Sequence, residues 1–178
     1  MIDELIGSTL SRELVVIILS ALPITELRGA LPVGIRLFQL PWYQAFFLAV
    51  IGNMLPVPFL LLFLQSIFKT ISRTGPGRRL VNSLLSHTQR HSAIVEKYGF
   101  IGLMLLVAVP LPGTGAWTGS MVAFLLGLSW RRALFSITVG VLVSGVIVTT
   151  LSLLGWGGVI IAGTGLLVGI VLLGLWKA

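Results

Sequence analysis

Cysteine is absent from this 178-residue chain, and charged residues make up only 10% of it. The missing cysteines exclude a disulfide framework, a thiolate nucleophile and a thiol metal site. The shortage of charge excludes more, because a soluble domain typically carries about 25% charged residues. Since 56% of the residues are hydrophobic, one small core cannot bury them all, and the composition predicts an integral membrane protein.

Catalytic and nucleotide-binding patterns are also missing from the sequence. The chain has no glycine-rich phosphate loop of the Walker type and no Ser/His/Asp set in an apolar context. Its only histidines, His87 and His91, lie in a basic polar stretch, which favours a solvated helix face over a metal site. We therefore expect no enzyme activity, no metal and no other cofactor. The chain has a net charge of +7. In a membrane protein, basic residues mark the loops on the cytoplasmic side, so this charge does not indicate a nucleic-acid partner, and none is expected.

Apolar runs and their interruptions predict a single membrane domain, residues 1–178. Residues 14–68 hold a broken apolar segment, 14–40, followed by an intact one, 42–68. Residues 99–154 repeat that order, with a broken segment at 100–128 and an intact one at 130–154. Between them, residues 69–98 are basic and predict a cytoplasmic linker with an amphipathic helix on the membrane surface. Residues 1–13 are expected to form an interfacial cap, and residues 155–178 a final transmembrane helix.

The two halves are similar in sequence as well as in the order of their segments. The string WYQAFF at 42–47 matches WRRALF at 130–135, at the same offset that aligns Gly52 with Gly140. A chance match is the alternative. Paired segments interrupted by glycine and proline in corresponding halves point to a transport site formed by inverted repeats.

Both broken segments are expected to form re-entrant helical hairpins instead of straight spanning helices. Proline and glycine in the middle of a segment leave backbone N–H and C=O groups without helical hydrogen bonds, and lipid cannot supply the missing partners. Such backbone must therefore be buried in protein or line a water-filled cavity. The residues expected to shape the hairpins are Pro23, Gly29, Pro32, Pro110, Pro112, Gly113, Gly115 and Gly119. The predicted fold is therefore all-α, with two inverted repeats, each a re-entrant hairpin plus a transmembrane helix.

The basic residues predict the orientation in the membrane. With both hairpins re-entrant, most of them share one face, namely the six in the linker together with Arg131, Arg132 and Lys177. The positive-inside rule makes that face cytoplasmic. We expect a multi-pass protein of a prokaryotic inner membrane, with the N-terminus outside and the linker and C-terminus in the cytoplasm.

Two charges, Glu26 and Arg28, interrupt the first broken segment. Charged residues at membrane depth are costly and functional by default. Glu26 is the candidate proton or cation site, and Arg28 the candidate anion contact, because guanidinium matches phosphate geometry. The alternative is a structural ion pair that holds the hairpin turn. Further candidate substrate or ion contacts, each with a structural alternative, are Arg36, Asn53, Thr114 and Thr118.

Four of the five tryptophans, at positions 42, 130, 156 and 176, lie at predicted segment ends and are expected to anchor the chain at the membrane interface. Trp117 lies within the second broken segment and is expected to pack at the tip of its hairpin. Gly165 and Gly169 stand at GxxxG spacing, which leaves open a homo-oligomer or an internal helix contact.

The string ELRGALPVGI, which begins at Glu26, and the string VAVPLPGTGAWTGSMVAFLLGL, which begins at Val107, resemble the small multidrug export family. That family is similar to the DedA/VTT (SNARE-associated) superfamily of lipid transporters and scramblases. The resemblance covers nearly the whole chain. It implies paired hairpins that face each other across the membrane, with Glu26 similar to the acid of the first DedA hairpin. Between Phe100 and Ser129 the chain has neither arginine nor acid, whereas DedA proteins typically have arginines there.

These features together predict a transporter for a lipid or amphiphilic solute, with membrane lipids as partners. The DedA resemblance implies a lipid-carrier translocase or scramblase that is proton-coupled in some members. The alternative transport function is a small-molecule drug or ion/H⁺ exporter. The alternative outside transport is a membrane scaffold whose basic linker binds anionic lipid.

Overall fold

The computed structural model describes residues 11–71, 92–111, 113–155 and 157, and the regular structure in these ranges is helical. The helices are α1 (Arg12–Ala21), α2 (Glu26–Pro32), α3 (Trp42–Met54), α4 (Pro56–Ile71), α5 (Ser92–Ala108), α6 (Ala116–Leu125) and α7 (Trp130–Leu153). The all-α prediction is confirmed for these residues. Most of the predicted N-terminal cap, most of the basic linker, Pro112 and nearly all of the predicted C-terminal helix lie outside them.

Two helical stretches in the described part of the chain are long and apolar enough to cross a membrane. They are Trp42–Leu64, which contains α3 and the first half of α4, and Trp130–Leu153, which is α7. The first is interrupted at Leu55, because Pro56 has no amide hydrogen to continue the helical ladder. The apolar stretch Gly99–Ala108, which is the second part of α5, and the helix Ala116–Leu125 are shorter. At about 1.5 Å per residue, the 10 residues of α6 do not cover a hydrocarbon core about 30 Å thick.

The first broken segment forms α1 and α2, which are joined at residues 22–25. The hydroxyl of Ser11 accepts a hydrogen bond from the amide of Leu14 and caps the start of α1. The helix stops before Pro23, since a residue that precedes proline is pushed out of the helical region, and Leu22 has ψ 142°. α2 then starts at Glu26 and continues into a π-helical turn, Val33–Leu37. This segment is therefore two short helices and not one spanning helix.

The second broken segment forms α5 and α6 in the same way. α5 ends at Ala108, two residues before Pro110, and the loop turns at Gly113, whose φ of 82° lies in the left-handed region that favours glycine. The hydroxyl of Thr114 lies within hydrogen-bond distance of the Val109 and Leu111 carbonyls, at 2.7 and 2.9 Å. The Thr114 side chain therefore stabilises the loop that precedes α6 through hydrogen bonds within that loop.

Each candidate spanning helix packs tightly on the first helix of the broken segment before it. α3 packs on α1 and α7 packs on α5, and a glycine lies at each crossing. A Cβ atom on Gly52 would lie 2.9 Å from the Cα of Ile17, and a Cβ on Gly140 would lie 2.9 Å from the Met104 carbonyl oxygen. Small residues at such positions let helix backbones approach closely.

These two glycines are expected to be the least replaceable ones in the helical core. Gly52→Ala and Gly140→Ala should each lower the free energy of unfolding in mixed micelles by about 1–3 kcal/mol, because the added methyl overpacks the contact. Gly102→Ala is the matched control, since a Cβ there meets nothing within 4 Å. Equal effects at positions 52, 140 and 102 would contradict the close packing.

Candidate substrate site

A buried ion pair lies where α2 begins. Glu26 is 6% exposed, and its Oε2 accepts a hydrogen bond from Nη2 of Arg28 at 3.0 Å. Residues two apart on a regular helix do not face each other, so the pair depends on the irregular start of α2. Glu26 has a φ of 45°, a conformation that costs a non-glycine residue about 1–3 kcal/mol. Such strain is concentrated at functional sites, where the surrounding structure holds it.

The second broken segment contacts this pair directly. Nη2 of Arg28 also donates to the backbone carbonyl of Thr114. Gly115 lies against the Glu26 carboxylate so closely that a Cβ atom on Gly115 would overlap it. The indole nitrogen of Trp117 donates to the carbonyl of Ala21 at 3.0 Å. The breaks of the two broken segments therefore meet, with the ion pair at their contact.

The guanidinium of Arg28 keeps a buried nitrogen, Nη1, whose N–H donors are unused. Nη1 is buried and has no hydrogen-bond partner among the described residues. A buried donor left without an acceptor costs about 1–3 kcal/mol, so an incoming acceptor gains from binding there. Guanidinium nitrogens pair well with phosphate and carboxylate oxygens. Arg28 therefore binds Glu26 through Nη2 and can bind a further acceptor through Nη1.

An open apolar groove of about 440 Å³ runs along α4 and α6. It is lined by Pro56, Phe59, Leu60, Leu62, Phe63 and Trp117. Trp117 belongs both to this groove and to the contact between the two broken segments. A charged centre and an apolar groove are therefore neighbours, which is the arrangement that an amphiphilic molecule would match.

The structure brings together three of the six residues predicted as substrate or ion contacts: Glu26, Arg28 and Thr114. Thr114 contributes its backbone carbonyl to the pair, while its hydroxyl bonds within its own loop. Among the described residues, no hydrogen bond joins Asn53 or Thr118 to the pair. Asn53 is nevertheless 3% exposed with an unpartnered Oδ1, and it stays a candidate.

Arg36 lies on the π-helical turn that follows α2 and contacts a different helix. Its Nε donates to the Ser152 carbonyl at 2.7 Å, and its Nη2 donates to the Leu153 carbonyl at 3.0 Å. A cation that binds the last carbonyls of a helix caps it and complements its dipole. The arrangement makes Arg36 the C-terminal cap of α7, and its substrate contact stays a prediction.

The residues predicted to shape the hairpins, apart from Pro112, which lies outside the described residues, fall into two groups. Those at the breaks are Pro23, Pro110, Gly113 and Gly115, whereas those inside helices are Gly29, Pro32 and Gly119. Sequence reasoning did not foresee that Gly115 would contact Glu26, or that Trp117 would line a groove with α4. The aromatic residues Phe59 and Phe63, one helical turn apart, were the available signal for that groove.

The chain matches the family described as "Putative small multi-drug export protein" over residues 26–147. The matched range begins at Glu26, directly after the first break, and includes the second break, the whole of Trp42–Leu64 and most of Trp130–Leu153. Searches of curated proteins and of solved structures find no match to the chain. Because the matched range covers well over half of the 178 residues, this chain belongs to the small multi-drug export protein family.

Proposed function

We propose that this protein is a membrane transporter for an amphiphilic molecule, whose polar part is bound by Glu26 and Arg28. The observation that carries the proposal is the buried ion pair with a free Arg28 Nη1 beside an apolar groove. An amphiphile has the same two kinds of surface. Charged residues held at membrane depth typically mark a substrate or ion pathway. The family description supports an export function in a membrane.

The proposed architecture is a pair of inverted re-entrant hairpins, each followed by a transmembrane helix. The meeting of the two breaks at Arg28 and Thr114 supports it, because non-helical backbone at membrane depth must be covered by protein or line a cavity. The packing of Gly52 on α1 and of Gly140 on α5 supports it as well, since the two glycines occupy corresponding places in the two halves. In this arrangement the ion pair lies near the bilayer midplane, where transporters of this kind bind substrate.

The proposed topology places the N-terminus outside and Arg131 in the cytoplasm of a prokaryotic inner membrane. Native cysteine is absent, so single cysteines report cleanly. A cysteine at Leu37, which is 65% exposed, should react with an impermeant maleimide added outside to intact cells. A cysteine at Arg131 should react only after the cells are opened. Labelling of both positions from the same side would contradict re-entrant hairpins.

Glu26 and Arg28 have separate proposed roles at this site. Glu26 is the proton or cation site, and release of its bond to Arg28 frees the guanidinium for a phosphate or carboxylate oxygen. The basic linker is the proposed contact with anionic lipid. No enzymatic step is proposed.

Two classes of substrate are alternatives for this site, and both can be tested in the same vesicles. The family description favours a drug-like amphiphile, and the resemblance to DedA proteins favours a lipid carrier. Purified protein in proteoliposomes is given a labelled polyprenyl phosphate in one arm and a cationic dye in the other. We expect flux of at least one of them above that of protein-free vesicles. A scaffold would move neither, and that result would overturn the proposal.

A further inference from the structure

We propose that the groove between α4 and α6 binds a single hydrocarbon chain of a membrane amphiphile. Its volume of about 440 Å³ is near the lower end of the range for sites that take one small ligand, about 300–1,000 Å³. That size suits one chain better than the two chains of a diacyl lipid. The proposal deepens the function proposed above, and it rests on that function for the identity of the molecule that carries the chain.

The lining of the groove selects an apolar occupant. The α4 wall, formed by Pro56, Phe59, Leu60, Leu62 and Phe63, is apolar throughout. The α6 wall is Trp117, whose one polar hydrogen is already donated to the Ala21 carbonyl at 3.0 Å. A polar drug in this groove would leave its own donors and acceptors without partners, which is costly away from water. A hydrocarbon chain has none to satisfy.

The surroundings of the groove supply such a chain. The lining residues of α4 belong to Trp42–Leu64, a stretch long and apolar enough to cross a membrane. In a bilayer this surface faces lipid tails, and Phe59 and Phe63 are 70% and 63% exposed. A chain can therefore move from the bilayer core into the groove without contact with water.

Trp117 places this groove next to the ion pair. Its ring lines the groove, and two residues earlier Gly115 lies against the Glu26 carboxylate. The groove and the ion pair are therefore connected through the first turn of α6. A chain held against the indole keeps the polar end of the same molecule within reach of the pair.

Quenching of Trp117 fluorescence tests this site. The four other tryptophans are replaced by phenylalanine, and the protein is placed in phospholipid vesicles with rising fractions of lysophosphatidylcholine that carries a brominated chain. Bromine quenches an indole that it touches. We expect the quenching of Trp117 to saturate and to reach half of its final value at a mole fraction at least about tenfold lower than a control tryptophan on another lipid-facing surface needs for the same quenching, a ratio worth about 1.4 kcal/mol.

The matched control places the only tryptophan on another lipid-facing surface. Phe135→Trp, combined with Trp117→Phe, puts an indole on α7 at a position that is 60% exposed and does not line the groove. Its quenching should rise in proportion to the mole fraction of brominated chain. The same proportional rise at Trp117 would overturn the proposal. The wild-type protein, which keeps all five tryptophans, should show the saturable component as a fraction of its signal.

A polar substitution in the groove provides the second arm. Leu60→Gln in the Trp117-only protein puts an amide among apolar walls and should abolish the saturable component. Val146→Gln puts the same amide on exposed α7 and should leave it unchanged. If saturable quenching persisted in the Leu60→Gln protein, that result would overturn the proposal. The measurement involves no transport, so a bound chain without flux would contradict the transport function alone, and flux without saturable quenching would contradict the groove alone.

Discussion

Arg28→Met is expected to lower the free energy of unfolding by about 3–5 kcal/mol, because it leaves the buried Glu26 carboxylate without its cation. Glu26 is 6% exposed, and the Arg28 side chain is 21% exposed, so water compensates little of the loss. The substitution also removes the hydrogen bond to the Thr114 carbonyl. Denaturant titration in mixed micelles measures the change.

The double variant Glu26→Gln/Arg28→Met separates a buried pair from two independent residues. Once the carboxylate is neutral, loss of the guanidinium should cost far less, so the double variant is expected to be more stable than Arg28→Met alone. Such non-additivity is the mark of residues in direct contact. Additive effects would show that Glu26 and Arg28 do not share a buried contact.

Gly115→Ala is expected to lower transport by about 10²-fold, the scale of loss that a misplacement of about 1 Å causes at a reacting or binding centre. The backbone of Gly115 is extended, with φ −169°, so alanine adopts it without strain. The loss comes instead from the methyl group, which would overlap the Glu26 carboxylate and push it away from Arg28. Flux into proteoliposomes measures the loss.

Two variants check that explanation. Glu26→Asp in the Gly115→Ala protein shortens the acid by one methylene and should restore part of the flux, because the carboxylate then clears the methyl group. Gly102→Ala adds a methyl in open space and should leave flux unchanged. Full activity of Gly115→Ala would mean that the carboxylate position does not matter to transport.

The sequence was sufficient to predict an all-α fold, and particular residues predicted where the helices are interrupted. Proline disfavours helix at the residue before it, and each broken segment forms two helices that are separated near Pro23 or Pro110. Trp42 and Trp130 begin α3 and α7, in agreement with their predicted places at segment ends. Local backbone chemistry decides these features, and it can be read without tertiary contacts.

The candidate site was predictable only where the chemistry is local. Glu26 and Arg28 stood out because charge in an apolar stretch is costly, and the structure pairs them. The contact of Gly115 with Glu26 and that of Trp117 with Ala21 join residues far apart in sequence. Such contacts depend on how the two broken segments pack, and no spacing rule within one segment predicts them.

Arg36 is a second residue whose contacts could not be predicted from the sequence. In sequence it resembles Arg28, since both are arginines in the first broken segment. Its position on the π-helical turn directs it to the carbonyls of Ser152 and Leu153 at the end of α7. Only the fold of the whole chain distinguishes an arginine in a buried pair from an arginine that caps a helix.

The role of Glu26 in transport is tested most directly by flux of the labelled amphiphile across an imposed pH gradient. Wild-type protein, Glu26→Gln and Glu13→Gln are compared in the same proteoliposomes, with Glu13 at the start of α1 as the matched acid. We predict that wild type and Glu13→Gln respond to the gradient and that Glu26→Gln does not. Gradient-dependent flux through Glu26→Gln equal to that of wild type would contradict a transport centre at the Glu26–Arg28 pair.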